Sequence, residues 1–84
     1  MSTTPAEADA KTERAVLGFV LSLHPTRLTQ GELTRALAED PEDFAQRDAI
    51  VRAVGELVVA GLLHRDGAFV APTRAALHFD QLAV

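Results

Sequence analysis

The sequence predicts a small α+β domain that is mostly helical, with three helices followed by a short β-hairpin and a C-terminal helix. Three observations predict this class. Apolar residues recur at helical spacing through the first three segments. The dipeptide Asp66-Gly67 stands between two short apolar arms, which is typical of a hairpin. Thr73 then follows Pro72 as the cap of a final short helix. A chain of 84 residues has room for one domain with one small core.

The expected organisation is a flexible leader over residues 1–10 and one domain over residues 11–84. Its expected elements are helices at about 11–23, 30–39, 41–60 and 74–82 and a hairpin at about 62–72. Thr4-Pro5-Ala6-Glu7 also fits a capping box with proline at the first helical position, which leaves open an earlier start of the first helix. His24-Pro25 ends that helix, because the residue before a proline is driven out of the α region.

The strongest local signal opens the second helix, in the stretch LTQGEL at residues 28–33. Thr29 is placed to cap the helix, and Glu32 three residues later completes a capping box. The third helix is expected to begin at residues 40–43. This stretch contains a capping aspartate, a proline for the first turn and further carboxylates, which are stabilised near the positive end of a helix. Gly61 is a natural left-handed terminator for it.

The hairpin prediction includes a register. A type I′ turn at Asp66-Gly67 requires positive φ at both central positions. This turn would place Arg65 opposite Ala68 and Leu63 opposite Val70, so that Leu63 and Val70 share one face of the sheet.

This order of elements, with LTQGEL opening the second helix, VVAGLL ending the third and PTRAAL after the hairpin, resembles the winged helix-turn-helix superfamily of small bacterial regulators. The resemblance covers about residues 13–82. It implies a short strand near residues 26–28, a recognition helix at 43–60 that lies in the major groove, and a wing tip at 65–68. Some winged helices bind proteins instead, so the resemblance leaves the partner open.

The function expected first is transcription regulation by binding duplex DNA, with weak affinity for phosphate. Eight basic residues against twelve acidic ones give a net charge of −4, which disfavours a generic polyanion binder. Arginines of the second and third helices also have carboxylates three or four residues away, a spacing that favours ion pairs. The expected pairs are Arg35 with Glu32 and Glu39, Arg47 with Asp43, and Arg52 with Asp48 and Glu56. The candidate DNA contacts are Arg27, Gln46, Arg47, Arg52, Arg65 and Arg74.

The alternative function is a protein–protein interaction module, an adaptor or dimerisation domain that does not bind DNA. Four carboxylates between residues 39 and 43 would repel phosphate at the start of the third helix. Gly18 and Gly55 lie mid-helix, away from the main apolar stripes, where a glycine permits close approach of a partner. The candidate interface residues are Phe19, Leu21 and Val59, in a homodimer or against another protein.

Catalysis has little support in the sequence, and neither a cofactor nor a metal is expected. His24, His64 and His78 share no metal-ligand spacing, and Ser2 and Ser22 belong to no nucleophile motif. There is no cysteine. The longest apolar runs are seven residues each, far short of the roughly 20 that a membrane span needs. No membrane partner is therefore expected, and the absence of a signal-peptide pattern predicts a cytoplasmic protein.

Overall fold

A computed structural model describes residues 5–40 and 42–83 of the chain. Within these ranges the chain forms four α-helices and three β-strands. In order, the elements are α1 (Pro5–Leu23), β1 (Leu28–Thr29), α2 (Gln30–Leu37), α3 (Phe44–Val59), β2 (Leu63–Asp66), β3 (Phe69–Pro72) and α4 (Arg74–Leu82). The predicted α+β, mostly helical class is confirmed.

The first helix begins earlier than residue 11. It starts at Pro5, so residues 5–10 are helical, whereas the sequence predicted a flexible leader there. Proline suits the first turn because its fixed φ is helical and its missing N–H needs no partner, and Glu7 complements the positive end of the helix. Residues 1–4 of the predicted leader lie outside the described residues.

The third helix begins later than residue 41, a position that itself lies outside the described residues. Its N-cap is Asp43, whose carboxylate accepts hydrogen bonds from the backbone N–H groups of Ala45 at 2.9 Å and Gln46 at 3.4 Å. Asp40 instead accepts the N–H of Glu42 at 3.0 Å, which closes the turn before the helix. Two capping aspartates stand close together in the sequence, and the second one starts the helix.

The strands form one antiparallel sheet in the order β1-β3-β2. The predicted register is wrong, because Leu63 pairs with Pro72 and Arg65 pairs with Val70. The turn therefore centres on Gly67 and Ala68, with Gly67 at φ +60°. Among the described residues only glycines adopt positive φ, so a type I′ turn with Asp66 at a central position does not form. Glycine at the first central position is typical of type II′.

This change of register leaves the buried face of the sheet unaltered. Leu63 now lies opposite residue 72 in place of residue 70, and an even shift keeps every side chain on its own face. Leu63 and Val70 both remain buried, as predicted. They join one core formed by the sheet and the first three helices, whose other members are Val16, Val20, Leu28, Leu33, Ala38, Ile50, Ala53, Val54 and Leu57.

The fourth helix occupies the predicted residues, 74–82, and lies against β3. The Thr73 hydroxyl accepts the N–H of Ala76 at 3.2 Å and donates to the carbonyl of Gly61 at 2.7 Å, which ties α4 to the end of α3. Ala76 is buried, while Phe79 and Leu82 are exposed. None of the helices in the described part of the chain combines the length and apolar character that a bilayer crossing requires.

Candidate nucleic-acid-binding surface

Two open grooves flank α3 on its two sides. The α2–α3 groove has a volume of about 590 Å³ and is lined by Gln30, Gly31, Thr34, Arg35, Phe44, Arg47, Asp48 and Val51. The α1–α3 groove has a volume of about 750 Å³ and is lined by Ala6, Asp9, Glu13, Ala49, Arg52, Ala53, Gly55, Glu56, Val58, Val59 and Arg65. The first groove contains one end of α2 and the start of α3, the region that the resemblance assigns to DNA contact.

The start of α2 is held by the predicted capping box. The backbone N–H of Glu32 donates to the Thr29 hydroxyl at 3.1 Å, and the Thr29 backbone N–H donates back to the Glu32 carboxylate at 3.2 Å. The Thr29 hydroxyl also donates to that carboxylate at 2.9 Å. The Thr29 hydroxyl, with the Thr29 N–H and the nearby Arg35, holds the pKa of Glu32 below its usual value. Glu32 is therefore charged and already hydrogen-bonded at physiological pH.

This use of Glu32 leaves Arg35 without the ion pair that its spacing predicted. Arg35 is exposed and forms no ion pair with any described residue, either with Glu32 or with Glu39. Helical spacing brings two side chains near each other, but a carboxylate that caps a helix is directed toward backbone N–H groups. Arg35 was not among the predicted DNA contacts, and the capping box was the signal that could have identified it.

Arg47 is in the same situation on α3. The predicted Arg47–Asp43 pair does not form, because the Asp43 carboxylate caps α3. The guanidinium carbon of Arg47 instead lies 5.8 Å from the centroid of the Phe44 ring. Arg35 and Arg47 thus line one groove, and neither forms a close ion pair with a described carboxylate, although the charge of Arg35 lies near enough to Glu32 to lower its pKa.

Two further arginines, one before β1 and one in the hairpin, are held by contacts. Arg27 donates to the Asp66 carboxylate at 3.0 Å and lies 4.8 Å from the centroid of the Phe69 ring, so it crosses the central strand to reach the edge strand. Arg65 donates to the side-chain oxygen of Gln30 at 3.3 Å. This hydrogen bond links the hairpin to the start of α2.

The hairpin tip continues the α2–α3 groove. A smaller groove of about 230 Å³ is lined by Arg65, Gly67 and neighbouring hairpin residues, and it shares Gln30 and Gly31 with the α2–α3 groove. We call the combined area the α2–α3–hairpin surface. Its defining cations are Arg35, Arg47 and Arg65.

Three other predicted DNA contacts lie apart from this surface or serve the fold. The side-chain oxygen of Gln46 accepts the N–H of Asp40 at 3.0 Å and so supports the turn before α3. Arg52 pairs with Asp48 at 3.4 Å, as predicted, and lines the α1–α3 groove. Arg74 is exposed in the first turn of α4 and lines none of these grooves. Of the predicted DNA contacts, only Arg47 and Arg65 lie on the α2–α3–hairpin surface. Arg27 is held at the hairpin.

The predicted interface residues do not lie on one surface either. Phe19 is half-buried and packs against the core, and Leu21 is half-buried. Val59 is 85% exposed and lines the α1–α3 groove with Gly55. A Cβ at Gly55 or at Gly18 would meet no atom within 4 Å, so these glycines do not serve a close helix contact within the described chain. Further exposed apolar side chains that the sequence interpretation missed are Phe44, Phe79 and Leu82.

Comparison of the chain with family models, curated proteins and solved structures produced no match. Within the described residues, no group of three or more His, Cys, Asp or Glu side chains could hold a metal ion.

Proposed function

We propose that this chain is a winged-helix protein that binds duplex DNA through the α2–α3–hairpin surface and acts in transcription regulation in the cytoplasm. The observation that carries this proposal is the pair of exposed guanidinium groups, Arg35 and Arg47, that line one groove and are paired with no described carboxylate. Arginines without a close ion pair on a concave surface suit phosphate and base edges, because their planar groups donate hydrogen bonds in pairs.

The arrangement of elements supports the same proposal. The first half of α3 would face the base edges, α2 would cross the phosphate backbone, and the hairpin would reach an adjacent groove. The hydrogen bond between Arg65 and Gln30 links the hairpin to the start of α2, so a duplex that contacts Arg35 and Arg47 would have Arg65 nearby. Clustered cations are needed because phosphate neutralisation supplies most nonspecific affinity.

The affinity should be weak. Three phosphate contacts correspond to a loss of about 40-fold in affinity between about 50 and 200 mM salt. Asp48 lies in the groove itself, and four carboxylates between residues 39 and 43 lie just before α3. These acids lower the affinity further by repelling phosphate, so specific binding would need base contacts or two copies of the chain.

The test is fluorescence anisotropy of the purified protein with a labelled duplex of random sequence, at about 50 and then 200 mM salt. The proposal predicts saturation at low salt and a steep loss of binding at high salt. An absence of binding at high micromolar protein and low salt would contradict it.

A protein partner at the α1–α3 groove is a second candidate function. Val59 is the most exposed of the large apolar side chains in the described chain, and the groove around it also carries Asp9, Glu13 and Glu56. A homodimer or an adaptor contact there would bury Val59. Sedimentation velocity tests the homodimer: the wild-type protein should sediment as a dimer and Val59→Asp as a monomer. A wild-type monomer at all concentrations would exclude that form of the candidate function.

A further inference from the structure

We propose that Phe44 reads the 5-methyl group of thymine, so that the duplex sites this protein prefers carry thymine where Phe44 meets the major groove. The inference rests on the proposed DNA binding and adds the class of base that the surface selects.

Phe44 is the first residue of α3, and its side chain is 79% exposed. Val51, seven residues later on the same side of the helix, is 37% exposed, and both side chains line the α2–α3 groove. Arg47 and Asp48 lie between them on the same face, so Phe44 and Val51 are two separate apolar points on the wall of the groove that α3 contributes. Phe44 is the more exposed of the two, and Arg47 lies against its ring.

Phe44 also has no evident role in holding the fold. Asp43 caps α3 through its own carboxylate, and Phe44 belongs neither to the core nor to the partly buried residues that pack against it. A phenylalanine that exposes most of its side chain gains much by covering that area with an apolar ligand group.

The chemistry of the major groove identifies one such group. Each base pair presents hydrogen-bond donors and acceptors on that side, and thymine alone adds a methyl group. The N-terminal residues of a recognition helix are those that contact base edges in this kind of docking. Arg47 lies beside the Phe44 ring, with 5.8 Å between its guanidinium carbon and the ring centroid. It would therefore bond a neighbouring guanine edge or phosphate while the ring covers the methyl group.

The test uses uracil in place of thymine, which removes only the methyl group. Duplexes are first enriched from a random library with the wild-type protein, and the enriched duplexes are then prepared with thymidine or with deoxyuridine. Wild-type protein should bind the deoxyuridine form about fourfold more weakly for each methyl group that it covers. Phe44→Ala should bind both forms equally, and Phe44→Leu should retain a preference for thymidine.

The matched control is Val59→Ala, which truncates another exposed apolar side chain of α3 on the opposite groove and should keep the full preference. Thermal unfolding of each variant checks that it folds. Failure to enrich any duplex would overturn the proposed DNA binding itself. Enrichment with equal affinity for both forms would leave DNA binding in place and overturn the thymine inference. A preference that survives unchanged in Phe44→Ala would overturn the assignment to Phe44.

Discussion

The two grooves beside α3 carry opposite charge, although one helix contributes a wall to both. The α2–α3 groove holds Arg35 and Arg47 with the single carboxylate of Asp48. The α1–α3 groove holds three carboxylates and two arginines, one of which, Arg52, is already paired with Asp48. A chain with a net charge of −4 can therefore present a locally cationic surface.

The difference arises from the use of carboxylates as helix caps. Glu32 and Asp43 are the acids that the spacing assigned to Arg35 and Arg47, and each binds backbone N–H groups at the start of a helix instead. Asp48 has no such capping role, and its carboxylate pairs with Arg52. Whether an arginine is available for a ligand depends here on the hydrogen bonds of its neighbouring acid.

The largest expected effect comes from removing the apolar anchor of α2. Leu33 is fully buried, and truncation leaves a cavity beneath the helix that forms one wall of the cationic groove. Leu33→Ala should lower the free energy of unfolding by about 2–5 kcal/mol, measured by urea denaturation. Amide exchange should accelerate in α2 more than in α1. The exposed Leu82 is the control, and Leu82→Ala should change stability by less than about 0.5 kcal/mol. Equal losses in both variants would contradict the assignment of the core.

Removing the cap of α2 should have the next largest effect. Thr29→Ala deletes the hydroxyl that binds the N–H and carboxylate of Glu32, and should cost about 1 kcal/mol in urea denaturation. It should also weaken DNA binding, because the released Glu32 carboxylate would then move into a close ion pair with Arg35. Thr29→Ser keeps the hydroxyl and should preserve both properties. DNA affinity that is unchanged in Thr29→Ala would show that Glu32 does not control Arg35.

Removal of one carboxylate should strengthen DNA binding, and this tests the charge difference between the grooves by a gain of affinity. Asp48→Asn removes the acid that repels phosphate from the α2–α3 groove, so DNA affinity measured by anisotropy should rise about two- to fivefold. Asp9→Asn makes the same change of charge in the α1–α3 groove and should leave affinity unchanged. An equal rise in both variants would mean that only the net charge of the chain matters.

The smallest effect concerns pH. Because the folded pKa of Glu32 lies below its usual value, the ionised carboxylate stabilises the fold above the unfolded pKa, and this stabilisation is lost as the pH falls through the folded pKa. Glu32→Gln accepts the same hydrogen bonds but cannot titrate. In thermal unfolding, the wild type should be more stable than Glu32→Gln near neutral pH, and the difference should vanish in acid. Parallel melting curves at every pH would contradict the role of the ionised carboxylate.

Much of the fold was predictable because its signals are local. The capping box at the start of α2 and the bounds of α4 follow from residues within one turn of each other. The hairpin was predicted at the right place with the wrong register, because either Asp66-Gly67 or Gly67-Ala68 satisfies a two-residue turn. Within the turn, the structure places positive φ on Gly67 and not on Asp66. The buried face survived this error because the side-chain period of a strand is two.

The functional surface was less predictable because it depends on contacts between distant residues. Arg27 and Asp66 are separated by 39 positions, and no spacing rule connects them. Phenylalanine is a residue type that is usually found in a core. The exposure of the Phe44 ring follows from its position as the first residue of α3, which the sequence did not predict. The availability of Arg35 could have been inferred from the capping box, since a carboxylate that caps one helix is less available to a side chain.

Two double variants of equal charge decide whether DNA binds at the α2–α3 groove. Arg35→Ala/Arg47→Ala removes the unpaired arginines of the α2–α3 groove, and Arg52→Ala/Arg74→Ala removes two that lie outside it. The slope of log affinity against log salt for duplex DNA should become shallower by about 1.8 in the first variant and stay close to the wild-type slope in the second. Equal slopes in the two variants would contradict the assignment of DNA binding to the α2–α3 groove.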